Sequence, residues 1–137
     1  MNLLREKLLG RDNNFNIEEQ KREFADYENE LELRFDILVY YDRKPLLILD
    51  TKYMRFEGKP DTNHLGQMNL YSDVKKVENC GLIFPGDQVR RFYPLQKLDL
   101  KLHILFIDLI ANTSYEFNNK CDQFVNTLNQ IIDSLKK

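Results

Sequence analysis

Hydrophobic residues recur along the chain in two rhythms, and the changes from one to the other mark its elements. Residues 31–41 and 45–54 are two β-rich runs on either side of the polar stretch Asp42-Arg43-Lys44-Pro45, which predicts an antiparallel hairpin. Upstream, residues 2–9 read as a short helix that stops at Gly10, with Leu4 and Leu8 on one face. Phe15, Ile17 and Glu19 alternate as a strand would, although Ile17, Phe24, Tyr27 and Leu31 also fit a helical period. We take a strand near 15–24 followed by a polar turn.

Downstream, residues 62–77 are amphipathic at helical spacing, with Leu65, Met68 and Ser72 on one side and Gln67, Tyr71 and Val74 on another. Cys80–Phe84 is a short apolar strand ended by Pro85-Gly86. A further strand is expected over 89–95, and a clear apolar one over His103–Ile110. Thr113 and Glu116 have the spacing of a capping box. They open a last helix whose apolar face carries Phe117, Cys121, Phe124, Leu128, Ile131 and Leu135. The order α-β-β-β-α-β-β-β-α predicts an α/β (α+β) single domain over residues 1–137, a central mixed sheet flanked by helices.

Composition narrows the classes without choosing among them. With 137 residues, 42% apolar and 31% charged, the chain can bury a core without staples. A net charge of −2 gives no global basic field, so any contact with nucleic acid must come from local patches, a partner or a metal. Cys80 and Cys121 fit no zinc spacing and read as reduced structural thiols, with a disulfide the alternative, and two cysteines exclude a four-cysteine iron–sulfur cluster. His64 and His103 are too far apart to suggest a metal cluster. No stretch is apolar enough to span a membrane, and the first residues do not form a signal peptide, so a cytoplasmic location is expected.

The hairpin carries the candidate chemistry. Alternate residues of a strand share a face, so Asp50 and Lys52 project together from the end of an otherwise apolar run. If the hairpin closes on a three-residue loop centred at Arg43, Asp36 lies directly opposite Asp50, with Cβ atoms about 5 Å apart. Two carboxylates so placed repel unless they share a proton or bind a divalent cation. A register slip of one residue would separate them onto opposite faces. With Mg²⁺ between them (Mn²⁺ can substitute), Asp36 and Asp50 serve as hard oxygen ligands. Lys52 then orients a metal-activated water or stabilises charge building on the phosphate. The alternative is an Asp50–Lys52 ion pair that only closes a strand.

The spacing Arg34-Phe35-Asp36, thirteen residues, Asp50-Thr51-Lys52 resembles the PD-(D/E)XK nuclease signature, with Phe35 where that pattern usually has proline. Gln67 and Tyr71 resemble its Q-x-x-x-Y helix. Within that superfamily the chain is similar to the nuclease subunit (McrC) of McrBC-type restriction systems. Residues 1–6 look like the family's first core helix, whose glutamate would be Glu6. Residues 17–20 look like its first strand, 49–53 like its D-A-K-Y run, and 82–85 like its L-x-Y-P strand. The resemblance implies a restriction-endonuclease-like fold and a Mg²⁺-dependent DNA endonuclease. Its partner would be a GTP-hydrolysing AAA+ motor that recognises methylated sites. The family's large N-terminal part, which engages the motor, is not matched. An isolated domain, a truncated homologue and a stand-alone relative are therefore all expected forms.

Around that core, Glu6 is a candidate third carboxylate, beside the plainer reading of a solvated helix residue. Gln67 is a candidate catalytic and DNA-contacting residue, and Tyr71 a DNA contact or simply core. Arg55 and Lys59, which follow the catalytic strand, are the better phosphate-contact candidates in a set that includes Arg43, Lys44, Lys75, Lys76, Arg90 and Arg91. Phe35, Tyr40, Phe84 and Phe106 read as core. Competing readings are another enzyme of the same fold (a junction resolvase, a repair exonuclease or a transposase subunit) and a catalytically silent DNA-binding or scaffold module.

Overall fold

The hairpin turns more tightly than its polar linker suggests. In a computed structural model, which describes residues 15–24, 32–108, 110 and 112–135, the strands Glu32–Tyr41 (β2) and Lys44–Thr51 (β3) are joined by Asp42 and Arg43 alone. Both have positive φ, 51° and 67°, the signature of a type I′ turn whose twist matches the flanking strands. Tyr41 pairs with Lys44 and Tyr40 with Pro45, but Val39 then pairs with Leu47. Leu46 is the extra residue of a β-bulge. Leu46 and Leu47 accordingly both pack on the same side of the sheet. Beyond the bulge the register runs Leu38 to Ile48 and Ile37 to Leu49.

A strand Phe15–Phe24 (β1) pairs antiparallel with β2, as the alternation of Phe15, Ile17 and Glu19 predicts. After β3 the chain runs through a helix Thr62–Lys75 (α1) to Asn79–Pro85 (β4), which pairs parallel with β3. Arg91–Leu95 (β5) and Leu100–Ile107 (β6) form a second hairpin, and β6 pairs parallel with β4. The last strand thus begins and ends three residues before the expected 103–110. The six strands lie in the order β1-β2-β3-β4-β6-β5. The outermost, β5, carries Pro94, whose missing N–H is tolerated at an edge. The helix Ser114–Leu135 (α2) closes the described chain. This is an α+β fold with one mixed sheet and two helices among the described residues. The expected helix over 2–9, with Glu6, lies outside them.

The strand period sorts the core into two layers. Ile17, Ile37, Val39, Leu47, Leu49, Ile83 and Leu105 meet Phe124, Val125, Leu128, Ile131 and Ile132 of α2. Leu38, Ile48, Cys80, Leu82, Leu102 and Ile104 meet Met68 and Tyr71 of α1. The central strands are apolar on both faces because each face has a helix on it. Gly81 of β4 leaves room for the Leu49 side chain, since a Cβ there would stand 2.6 Å from one of its methyls.

The cap of α2 forms much as its sequence predicts. Thr113 Oγ1 accepts from Glu116 N at 3.1 Å, but the returning Glu116 carboxylate accepts from Asn112 N at 3.2 Å, one residue earlier than in a capping box. Phe117 is largely outside the core, at 39% exposed. Both cysteines are free and buried, and burial pushes the Cys80 thiol up to about 12. No helix of the described residues is long and apolar enough to cross a membrane.

Arg43 holds a left-handed conformation that disfavours a side chain. Replacing it with glycine should raise the unfolding free energy by about 0.5–1 kcal/mol, the relief of left-handed strain less glycine's entropy cost. Urea denaturation measures it, and a loss of stability would mean that the turn is not under strain.

Candidate functional site

Asp36 and Asp50 share the α1 face because each is in phase with an α1-side residue two positions away, Leu38 and Ile48. Extending the observed register by one pair sets them opposite each other. Asp36 is fixed from the neighbouring strand: its Oδ2 accepts from Thr51 N at 3.0 Å and from Thr51 Oγ1 at 2.9 Å. That double contact ends the β2–β3 pairing with a side chain in place of a carbonyl.

Asp50 is 5% exposed, one of two buried polar residues among those described, the other being Ser72. Lys52 follows the strand, its backbone N donating to Ile83 O at 2.8 Å. Its Nζ lies 2.6 Å from Asp50 Oδ2 and donates to Gln67 Oε1 at 2.9 Å. Gln67 Nε2 in turn donates to the Tyr71 hydroxyl at 3.0 Å. One α1 turn separates Gln67 from Tyr71, so the helix face aims both at the end of β3.

The electrostatics of this cluster are in conflict. Burial raises the Asp50 pKa from 3.8 to about 6, with Asp36 adding to the rise and Lys52 opposing it. Burial also raises the Tyr71 hydroxyl, and the charges of Asp50 and Asp36 add to that. His64, at the start of α1, is held below its usual range by burial and then by the charge of Lys52, which Asp61 partly offsets. Its Nδ1 is buried without a hydrogen-bond partner.

The structure therefore brings together four of the candidates, Asp36, Asp50, Lys52 and Gln67, with Tyr71 behind Gln67. Tyr71 is 6% exposed, which places it as the support of Gln67 more than as a surface. Arg55 and Lys59 are exposed on the segment between β3 and α1. Glu6 lies outside the described residues. Sequence reasoning misses one neighbour, Thr51, and reads a second, His64, as a candidate approach to DNA or, more plainly, a surface histidine, whereas its Nδ1 is buried. Thr51 sits between two residues of one face and by alternation should point away, so only its hydroxyl hints at a role. The signal for His64 is its place at the start of α1, about one turn before Gln67.

As a donor set, two adjacent carboxylates that share one desolvated site suit a hard divalent cation. Among the described residues, no group of three or more His, Cys, Asp or Glu side chains stands ready to hold a metal ion.

No protein-family model matches the chain, and no curated protein does. Among solved structures, the fold is similar to a chain in a Thermococcus gammatolerans assembly of McrB AAA+ hexamers with bound McrC. The TM-score is 0.67 at 14% identity, over 90% of this chain. This chain spans about 30% of the length of that one. At that identity the likeness is one of fold.

The raised pKa of Asp50 has a defined effect on stability. The folded state holds this proton more tightly than the unfolded chain, so stability is greatest with Asp50 protonated and falls as pH rises from about 4 through about 6. The shift amounts to at most about 3 kcal/mol. In metal-free buffer, Asp50→Asn should match the parent near pH 4 and exceed it in thermal midpoint near pH 7. A less stable variant at neutral pH would show that the Lys52 ion pair outweighs desolvation.

Proposed function

We propose that the domain is a Mg²⁺-dependent DNA endonuclease of the PD-(D/E)XK kind, related to McrC and working in a restriction system. One observation carries the reading: a carboxylate pair facing across β2 and β3, with Lys52 Nζ 2.6 Å from Asp50. A buried acid next to a second acid is costly to ionise, and a cation between them removes that cost.

Asp36 and Asp50 would hold the ion, with Mn²⁺ an acceptable substitute. When bound, such a cation supplies Lewis acidity toward a phosphate oxygen and eases deprotonation of water. Thr51 keeps Asp36 oriented. Lys52 is held between Asp50 and Gln67, where its ammonium can face charge that develops on a phosphate. Gln67, itself held by Tyr71, sets the position of Lys52 and offers an amide to the substrate. Arg55 and Lys59, both exposed, would pair with flanking phosphates. Glu6 remains the candidate third carboxylate. The fold likeness to a chain of a McrB–McrC assembly supports an AAA+ motor as partner, alongside DNA.

A second reading, a catalytically silent DNA-binding module, draws on a specific observation. The described residues assemble two carboxylates and no third ligand.

Calorimetric titration of Mg²⁺ and Mn²⁺ separates the two. Binding should be seen in the parent and vanish in both Asp36→Ala and Asp50→Ala. Cleavage of plasmid DNA should fall about 100- to 1000-fold in Lys52→Ala, the scale for losing one preorganised electrostatic group. All three variants should stay folded by circular dichroism. Cleavage that survives Asp50→Ala would end the assignment of this carboxylate site, and DNA binding without any cleavage would favour the silent module.

A further inference from the structure

Beside the carboxylate pair, the segment Tyr53–Lys59 has two opposed faces. Tyr53 is 95% exposed and Met54 53%, whereas Phe56 is 4% exposed. The Phe56 ring packs edge-on against Phe84 and Phe106, at centroid distances of 5.1 and 5.6 Å. Arg91 reaches across from the sheet edge, its guanidinium 5.1 Å from the Phe56 ring centre and its Nη1 donating to Gly58 O at 2.8 Å. The segment is thus pinned from below while presenting an aromatic ring, a thioether and Arg55 and Lys59 outward.

A tyrosine almost wholly in water, on a pinned segment one residue from Lys52, has the features of a stacking platform. Such platforms pair an aromatic face with nearby cations that track the phosphates. We infer that Tyr53 stacks on an unpaired nucleobase next to the phosphate at Lys52. The site would then favour DNA with accessible bases, such as a single strand, gap or frayed end, over intact duplex. This rests on the nuclease reading for its ligand, but its readout is separate. A protein partner could also cover Tyr53 and Met54. The cations on the same segment, and its place next to Lys52, favour nucleic acid.

The test titrates the protein, with calcium replacing magnesium, into a single-stranded oligonucleotide bearing 2-aminopurine and into its duplex. The parent and Tyr53→Phe should bind the single strand comparably and quench the probe. Tyr53→Ala should lose the quench and bind the single strand about tenfold more weakly, within the range for one base–aromatic stack. Its duplex affinity should change less. Equal binding by Tyr53→Ala and the parent would overturn the inference. So would equal weakening on both substrates, which indicates a backbone contact, or no binding by the parent at all. Cleavage dependent on Asp50 but indifferent to Tyr53 would sink this inference and leave the nuclease standing. Stacking without cleavage would do the reverse.

Discussion

One extra residue in β3 decides where every charge of the site falls. The Asp42-Arg43 turn by itself imposes a register in which Tyr40 meets Pro45. Continued unchanged, that register would set Asp36 against Leu49 and turn Asp50 toward the apolar layer under α2. The bulge at Leu46 advances the partner strand by one, so Asp50 comes to the α1 face with Asp36. Because the side-chain period of a strand is two, a single insertion is enough to swap faces. A bulge beside a functional site is a known means of re-aiming a side chain. Its cost here is local, because Leu46 and Leu47 both pack on the α2 layer.

The same end of the sheet concentrates the molecule's electrostatic conflict. Most of the core is aliphatic, and the central strands are buried on both faces. Into this setting β3 delivers a buried carboxylate with its ammonium partner, and β2 a second carboxylate. The arrangement lies at the carboxyl end of a strand paired parallel with β4, where open sheets of mixed and parallel type tend to place their ligands. Asp50, Lys52, Gln67 and Tyr71 form one connected chain of contacts, so Lys52 is positioned from both sides. Such a chain rigidifies a site that would otherwise gain stability from apolar residues.

Much of this is legible in the order of residues alone. The apolar runs of the hairpin and of residues 80–84 read clearly as strands, and the Asp36–Asp50 pairing follows from the hairpin. The chain reaches that pairing by a different path, however. A three-residue loop and a two-residue turn plus a bulge yield the same register beyond Val39. The pattern of Leu46 to Leu49 is uniformly apolar, so it carries no mark of where a residue is inserted. Apolar patterning places the last strand three residues late because Leu100 and Leu102 are separated by charged Lys101, whose side faces away from the α1 layer. The role of Thr51 is hidden by the rule that alternate residues diverge, which weakens where a strand ends. That Tyr71 is buried behind Gln67 depends on the helix's rotation over the sheet, which a weakly amphipathic sequence does not specify.

The fold alone does not select a chemistry, since mixed sheets with flanking helices carry many. What bears on the proposed hydrolysis is that Asp36 is oriented by protein groups. Two donors of Thr51 converge on one of its oxygens, fixing the plane of the carboxylate from a strand that also positions Asp50. A site meant only to end a strand is served by the Lys52–Asp50 pair and the Asp36–Thr51 contacts, and has no need of two carboxylates facing each other. A site meant to grip an ion needs two carboxylates held at a set separation, with their repulsion retained as binding energy for the cation. Only the second description uses the two facing carboxylates, whereas the raised pKa of Asp50 follows chiefly from burial under either.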